Sequence, residues 1–180
     1  LIQAGSGILT LSGVNTFTGT VSLNGGTLAI AGTQNLGNGG SLYFNSGSLR
    51  LTSGTTYTTR QVVLGTTGGI VDVFSAGGSL ALASSIFGPG SLTKTGAGEL
   101  LLSGSNTFSG PLFLNSGSLT FNTAQNLGTG GSLYFNNGAL RLSSGGTSTT
   151  KQFVLGSTGT IEVLGANSSL APNGNLYATR

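Results

Sequence analysis

Three acids, Asp72, Glu99 and Glu162, and six bases, Arg50, Arg60, Lys94, Arg141, Lys151 and Arg180, carry all the side-chain charge of this sequence. No His, Cys, Met or Trp accompanies them. Without His there is no Ser-His-Asp or Cys-His apparatus and no imidazole metal ligand. Without Cys there is no disulfide, no iron–sulfur cluster and no thiolate nucleophile. Glycoside hydrolysis needs two facing carboxylates. Glu99 and Glu162 are 63 residues apart; in the stacked architecture argued below that places them about 14 Å apart along the axis. A Ca²⁺ site needs several oxygens, mostly acidic, and Asp72 is the single Asp. We therefore expect no catalysis, no metal and no cofactor.

The bases offer little else. Charged residues are 5% of the chain and the net charge is +3. No two bases are adjacent in sequence, whereas a nucleic-acid binder clusters them on one face. Arg50 and Arg141 occupy matching places in a repeat described next, as do Arg60 and Lys151, and Asp72 and Glu162. The four bases are expected to be solvated surface charge. Glu99 stands alone, because its counterpart is Ile8. No apolar run is long enough to span a membrane as a helix. No signal peptide is expected, and a start at Leu1 without an initiator Met reads as a processed or excised segment.

These residues must be positioned by a chain that repeats itself. Residues 35–51 (NLGNGGSLYFNSGSLRL) return at 126–142 as NLGTGGSLYFNNGALRL, an offset of 91. Residues 8–69 and 99–160 share 38 identities in 62 positions. The chain thus reads as two modules, 1–91 and 92–180, of one continuous solenoid. A finer period runs inside them. Leu9, Leu28, Leu49, Leu80, Leu100, Leu119, Leu140 and Leu170 follow glycine-containing turns at gaps of 19, 21, 31, 20, 19, 21 and 30.

Short runs such as Val21-Ser22-Leu23, Leu49-Arg50-Leu51 and Leu119-Thr120-Phe121 alternate with period two, between Asn-Gly, Gly-Gly and Ser-Gly turns. That is strand periodicity. With 34 glycines and no apolar residues at helical spacing, a helix is excluded. A unit of about 20 residues with two or three short strands is one coil of a parallel β-helix. We expect an all-β, right-handed parallel β-helix of about eight coils. A β-sandwich of antiparallel hairpins is the competing architecture. Disorder is disfavoured by the low charge and the regular apolar alternation.

Asn24, Asn45, Asn115 and Asn136 each follow an inward apolar residue and precede x-Gly-x-Leu. Asn tolerates left-handed backbone and bonds neighbouring main chain, so these four are expected to form a structural turn ladder. Tyr43, Phe113 and Tyr134 have outward parity. With Arg50 and Arg141 they are the candidates for a binding surface, since exposed aromatic rings can stack on flat sugar faces.

Residues 90–119 (GSLTKTGAGELLLSGSNTFSGPLFLNSGSL) closely resemble the autotransporter-associated β-strand repeat, L-x-K-x-G-x-G-x-L-x-L-S-G-x-N-T-Y/F-x-G followed by a strand and N-x-G-x-L. A second copy runs from Gln3 to Leu28 and departs at its start, where Gln3-Ala4 replaces Lys-Thr. The resemblance implies a passenger segment of a Gram-negative autotransporter, a right-handed parallel β-helix exported across the outer membrane. It further implies a structural or adhesive rod at the cell surface or outside the cell. The expected partners are flanking repeats or other copies end to end, into a fibre, or host and neighbour-cell surfaces and glycans. A glycan- or receptor-binding module using the outward aromatics is the alternative.

Overall fold

Short alternating runs between glycine turns form strands of two to five residues, and every pairing is parallel. The computed structural model describes residues 1–156 and 158–178; Thr179 and Arg180, which end the second module read above and the latter of which was counted among the bases, lie outside the described residues. Successive strands on one face are a coil apart, as in Leu28 to Leu49 and Leu49 to Val71. Hairpins would pair antiparallel, so the sandwich is excluded and the molecule is a β-solenoid. No α-helix occurs among the described residues, only the 3₁₀ turns Thr33–Leu36 and Ala124–Leu127.

Each coil has three faces. The second face is a continuous ladder of nine strands, from Ile8–Leu11 through Thr27–Ile30, Ser48–Leu51, Gly69–Val73, Leu92–Thr95, Leu112–Leu114, Leu133–Phe135 and Phe153–Leu155 to Leu176–Ala178. Eight turns separate its ends, a rise of about 38 Å at about 4.8 Å per turn. The first face carries Ile2–Gln3, Val21–Leu23, Leu42–Phe44, Val62–Leu64 and Ile86–Phe87. It continues through 104–110, Ala124–Leu127 and the pair Gly146–Thr149 and Ser169–Pro172. The third face begins at 13–18 and Thr33–Leu36, which lead into the ladder from Thr55–Thr58 to Thr160–Val163.

Inward side chains stack into columns. On the second face one column reads Leu9, Leu28, Leu49, Val71, Lys94, Leu114, Phe135, Leu155. From Leu28 to Phe135 its members are fully buried. A coil closes no core alone; each coil's inner face is covered by its neighbours. Phe17 and Phe108 show this directly. Phe108 is fully buried, whereas its counterpart in the opening turn is half-buried.

The repeat and the coil do not share a period. Ile8–Leu11 lies on the second face, yet its counterpart 91 residues on, Glu99–Leu102, lies on the third. Val21–Leu23 on the first face returns as Leu112–Leu114 on the second, and Thr55–Thr58 on the third returns as Gly146–Thr149 on the first. A module therefore occupies thirteen faces, four full turns and one face more. This corrects the reading of Leu80 and Leu170 as coil markers. Leu49 stacks on Val71, one coil on; Leu80 is one face further still. The 31-residue gap is a coil plus a face, not a long coil.

Candidate functional site

The four turn asparagines sit at two different corners. Asn24 and Asn45 follow first-face strands, and Asn115 and Asn136 follow second-face strands. The Asn45 amide donates to Leu23 O at 2.8 Å, and the Asn136 amide to Leu114 O at 3.0 Å. Asn136 Nδ2 donates to Asn115 Oδ1 at 2.7 Å, and Thr67 Oγ1 donates to Asn45 Oδ1 at 2.9 Å. Asn24 and Asn136 are exposed, Asn45 and Asn115 half-buried.

The deeply held asparagines are others. Asn126 Oδ1 accepts from the Asn122 and Thr123 amides at 3.0 and 2.8 Å, and its Nδ2 donates to Gly104 O one coil back at 2.9 Å. Asn35 makes the matching set in the first module with Ala31, Gly32 and Gly13. Asn106 accepts from the Ile86 amide and donates to Asn126 O. All three are at most 4% exposed. They lie in the NTF and QNL stretches that recur between modules, the signal by which sequence could have found them.

The outward candidates do not form one patch. Phe113 and Tyr134 stack on the second face, with ring centroids 4.9 Å apart and planes inclined by 20°. Tyr43 projects from the first face, Arg50 from the second and Arg141 from the third. The one-face offset of the modules separates them.

The bases expected at the surface are engaged by partners: Arg50 and Arg141 stay about a third exposed, whereas Lys151 is buried. Arg50 Nε bonds Asp72 Oδ2 at 2.6 Å, and Arg141 Nε bonds Glu162 Oε2 at 2.8 Å. In each pair the acid is the ladder partner on the following coil, a spacing visible in the sequence. The Arg50 guanidinium also lies 5.3 Å over the ring of Phe74, which is exposed. Arg60 clamps three carbonyls: Nε to Gly40 O at 2.9 Å, one terminal nitrogen to Gly19 O at 3.1 Å, the other to Leu36 O. Lys151, its counterpart, bonds Gly130 O and reaches Gly131 O at 3.4 Å.

Lys94 is the least expected. It is fully buried in the leucine column. Its Nζ donates to Thr95 O at 2.5 Å, Gly96 O at 2.9 Å and Ser116 O at 3.4 Å. Burial lowers its pKa to about 8, against the pull of Asp72 in the other direction. Burial likewise lowers Lys151 to about 8. Gln3 stands in for Lys94 in the first module, donating to Gly5 O at 3.2 Å and Gly7 O at 3.1 Å. Glu99 Oε2 accepts from Ser79 Oγ at 3.1 Å, and Oε1 from Thr120. It lies three ladder steps from the strand that holds Glu162. Among the described residues no three acids or other ligating side chains converge on one point. The ionisable groups hold coil to coil.

A parallel β-solenoid whose ion pairs and buried asparagines tie one coil to the next is a rod, and its repeats have relatives. Residues 1–30 and 92–121 match the passenger-associated-transport-repeat. In fold and repeats the chain is similar to a β-solenoid segment of an autotransporter passenger. Over 124 residues, 63% of this chain, the sequence is 38% identical to the Adhesin BmaC autotransporter of Brucella suis biovar 1 (strain 1330). The chain spans about 4% of the length of that curated relative. No solved structure matches. Both matched segments contain the Lys94 or Gln3 turn and the Asn15 or Asn106 staple.

Proposed function

We propose that this chain is a structural and adhesive section of a rod displayed at the cell surface, exported across a Gram-negative outer membrane, and without catalytic activity. The observation that carries the reading is the unbroken nine-strand face running through both transport repeats. The similarity to an autotransporter adhesin supports the adhesive half. The rod's partners are flanking repeats or other copies end to end, and cell surfaces or glycans beyond it. Both terminal coils present apolar groups, Ile2 and Ile8 at one end and Val163 and Leu176 at the other, which is the surface a further coil would cover. Beads coated with the purified chain should adhere to cell layers, and the chain at high concentration should form coaxial stacks in electron micrographs. Uncoated-level adhesion defeats the adhesive half; a monodisperse monomer at all concentrations defeats the fibre.

A glycan- or receptor-binding role through outward aromatics is the second reading. The Phe113–Tyr134 stack favours it, because it fixes two aromatic side chains at one place on the outer surface of successive coils. Alanine at both positions tests it by loss of binding on a glycan array.

A further inference from the structure

Two grooves of the molecule are the same place in the two modules. One, of about 370 Å³, is walled by Gln34, Asn38, Thr58 and Thr59, with Tyr57 and Arg60 beside them. The other, of about 350 Å³, is walled by Thr129, Ser132, Thr149 and Thr150 around Lys151. An offset of 91 carries Asn38 to Thr129, Thr58 to Thr149, Thr59 to Thr150 and Arg60 to Lys151. Both volumes lie at the lower end of small-molecule sites, which run about 300–1,000 Å³. The grooves differ in one large group. Tyr57 is 68% exposed at the rim of the first, and Ser148 holds its place in the second.

The charge of each groove is a single cation. The ion pairs among the described residues are Arg50–Asp72 and Arg141–Glu162, so no carboxylate offsets Arg60 or Lys151. Carbonyl partners fix these cations in place without cancelling their charge. Arg60 commits three of its five N–H donors to them. What remains is a positive field over hydroxyl and amide walls, with an exposed phenol ring alongside in the first groove only. Rings of that kind stack on the C–H face of a sugar, hydroxyl and amide groups exchange bonds with its hydroxyls, and the cation favours an acidic substituent.

We infer that each module carries one saccharide site, and that the Tyr57–Arg60 groove is the stronger, taking an acidic sugar with its ring on Tyr57 and its carboxylate toward Arg60. The site rests on the adhesive reading and gives it a ligand class. Because the modules are offset by one face, the two grooves open in directions a third of a turn apart. One short oligosaccharide therefore occupies one groove, and a long acidic polymer engages a rod from several sides.

Calorimetric titration of the full chain with galacturonic acid trisaccharide tests this, with a neutral glucose trisaccharide as comparison. Binding of the acidic sugar is expected, weakening as salt is raised. Tyr57→Ala should lower affinity at least tenfold, and Gln34→Ala severalfold. Both side chains are exposed, so the folded spectrum should not change. Equal binding of the neutral sugar, no binding at millimolar concentration, or affinity unchanged in Tyr57→Ala overturns the site. Bead adhesion separates this from the broader reading. If Tyr57→Ala beads adhere as wild type does, the groove fails and the adhesive role stands. If wild-type beads do not adhere while the titration succeeds, the adhesive role fails and the groove stands.

Discussion

Lys94 takes the place of a leucine in a column that is apolar on either side of it. Its ammonium loses water and gains three carbonyls, and the balance lowers its pKa to about 8. The ordinary value is 10.5. Between those two pH values the unfolded chain binds more protons than the folded one, so stability rises with pH across the window. Lys151 acts in the same direction. The midpoint of urea unfolding should therefore increase from pH 8 toward pH 10.5, and the increase should shrink in a Lys94→Met, Lys151→Met double variant. A flat or falling profile would show that the carbonyls fully compensate burial. The alternation Leu92-Thr93-Lys94 already aimed this side chain inward; the habit of placing charge outside concealed it. The buried asparagines give a second test. Asn126→Ala strands two amides and a carbonyl, and should cost about 1–3 kcal/mol. Asn24→Ala, on an exposed turn, should stay within about 0.5 kcal/mol in the same unfolding experiment.

Strands here are too short to be stable alone, and turns fix how they stack. Gly117 has φ +68°, and a Cβ there would meet Gly96 O and Gly98 O at 2.4 Å and Lys94 Nζ at 2.9 Å. Gly145 has φ +77° with nothing within 4 Å. Alanine at Gly145 should cost only the backbone strain, about 1 kcal/mol. Alanine at Gly117 adds a clash with the coil below, and its midpoint should fall at least twice as far. Equal losses would mean the turn yields easily. Strand type, turn chemistry and coil length were legible in the sequence, because period-two alternation and Asn-Gly or Gly-Gly turns are local signals. Which face a strand occupies was not. Leucine marks an inward position on any face, so Leu49 and Leu80 look like successive coils although they lie on different faces. For the same reason Tyr43, Phe113 and Tyr134 read as one set. The Arg50–Asp72 spacing was visible, but only knowledge of the coil length turns 22 residues into adjacency.

At the scale of the molecule, the boundary between modules is not a seam. Leu92–Thr95 pairs with Gly69–Val73 behind it and Leu112–Leu114 ahead of it as any other step does. We expect one calorimetric transition for the whole chain, as one continuous solenoid requires, and two resolved transitions would show that the modules fold as separate units. The mismatch of repeat and coil reaches further. Each module ends a third of a turn out of phase with its start. In an array of such modules, bearing depends on number: gaining or losing one by recombination would swing everything beyond it by a third of the compass. Only changes in multiples of three would return the tip to its heading. Length and aim are thus inherited together, and a family of rods differing by single modules would sample three headings with one unchanged sequence.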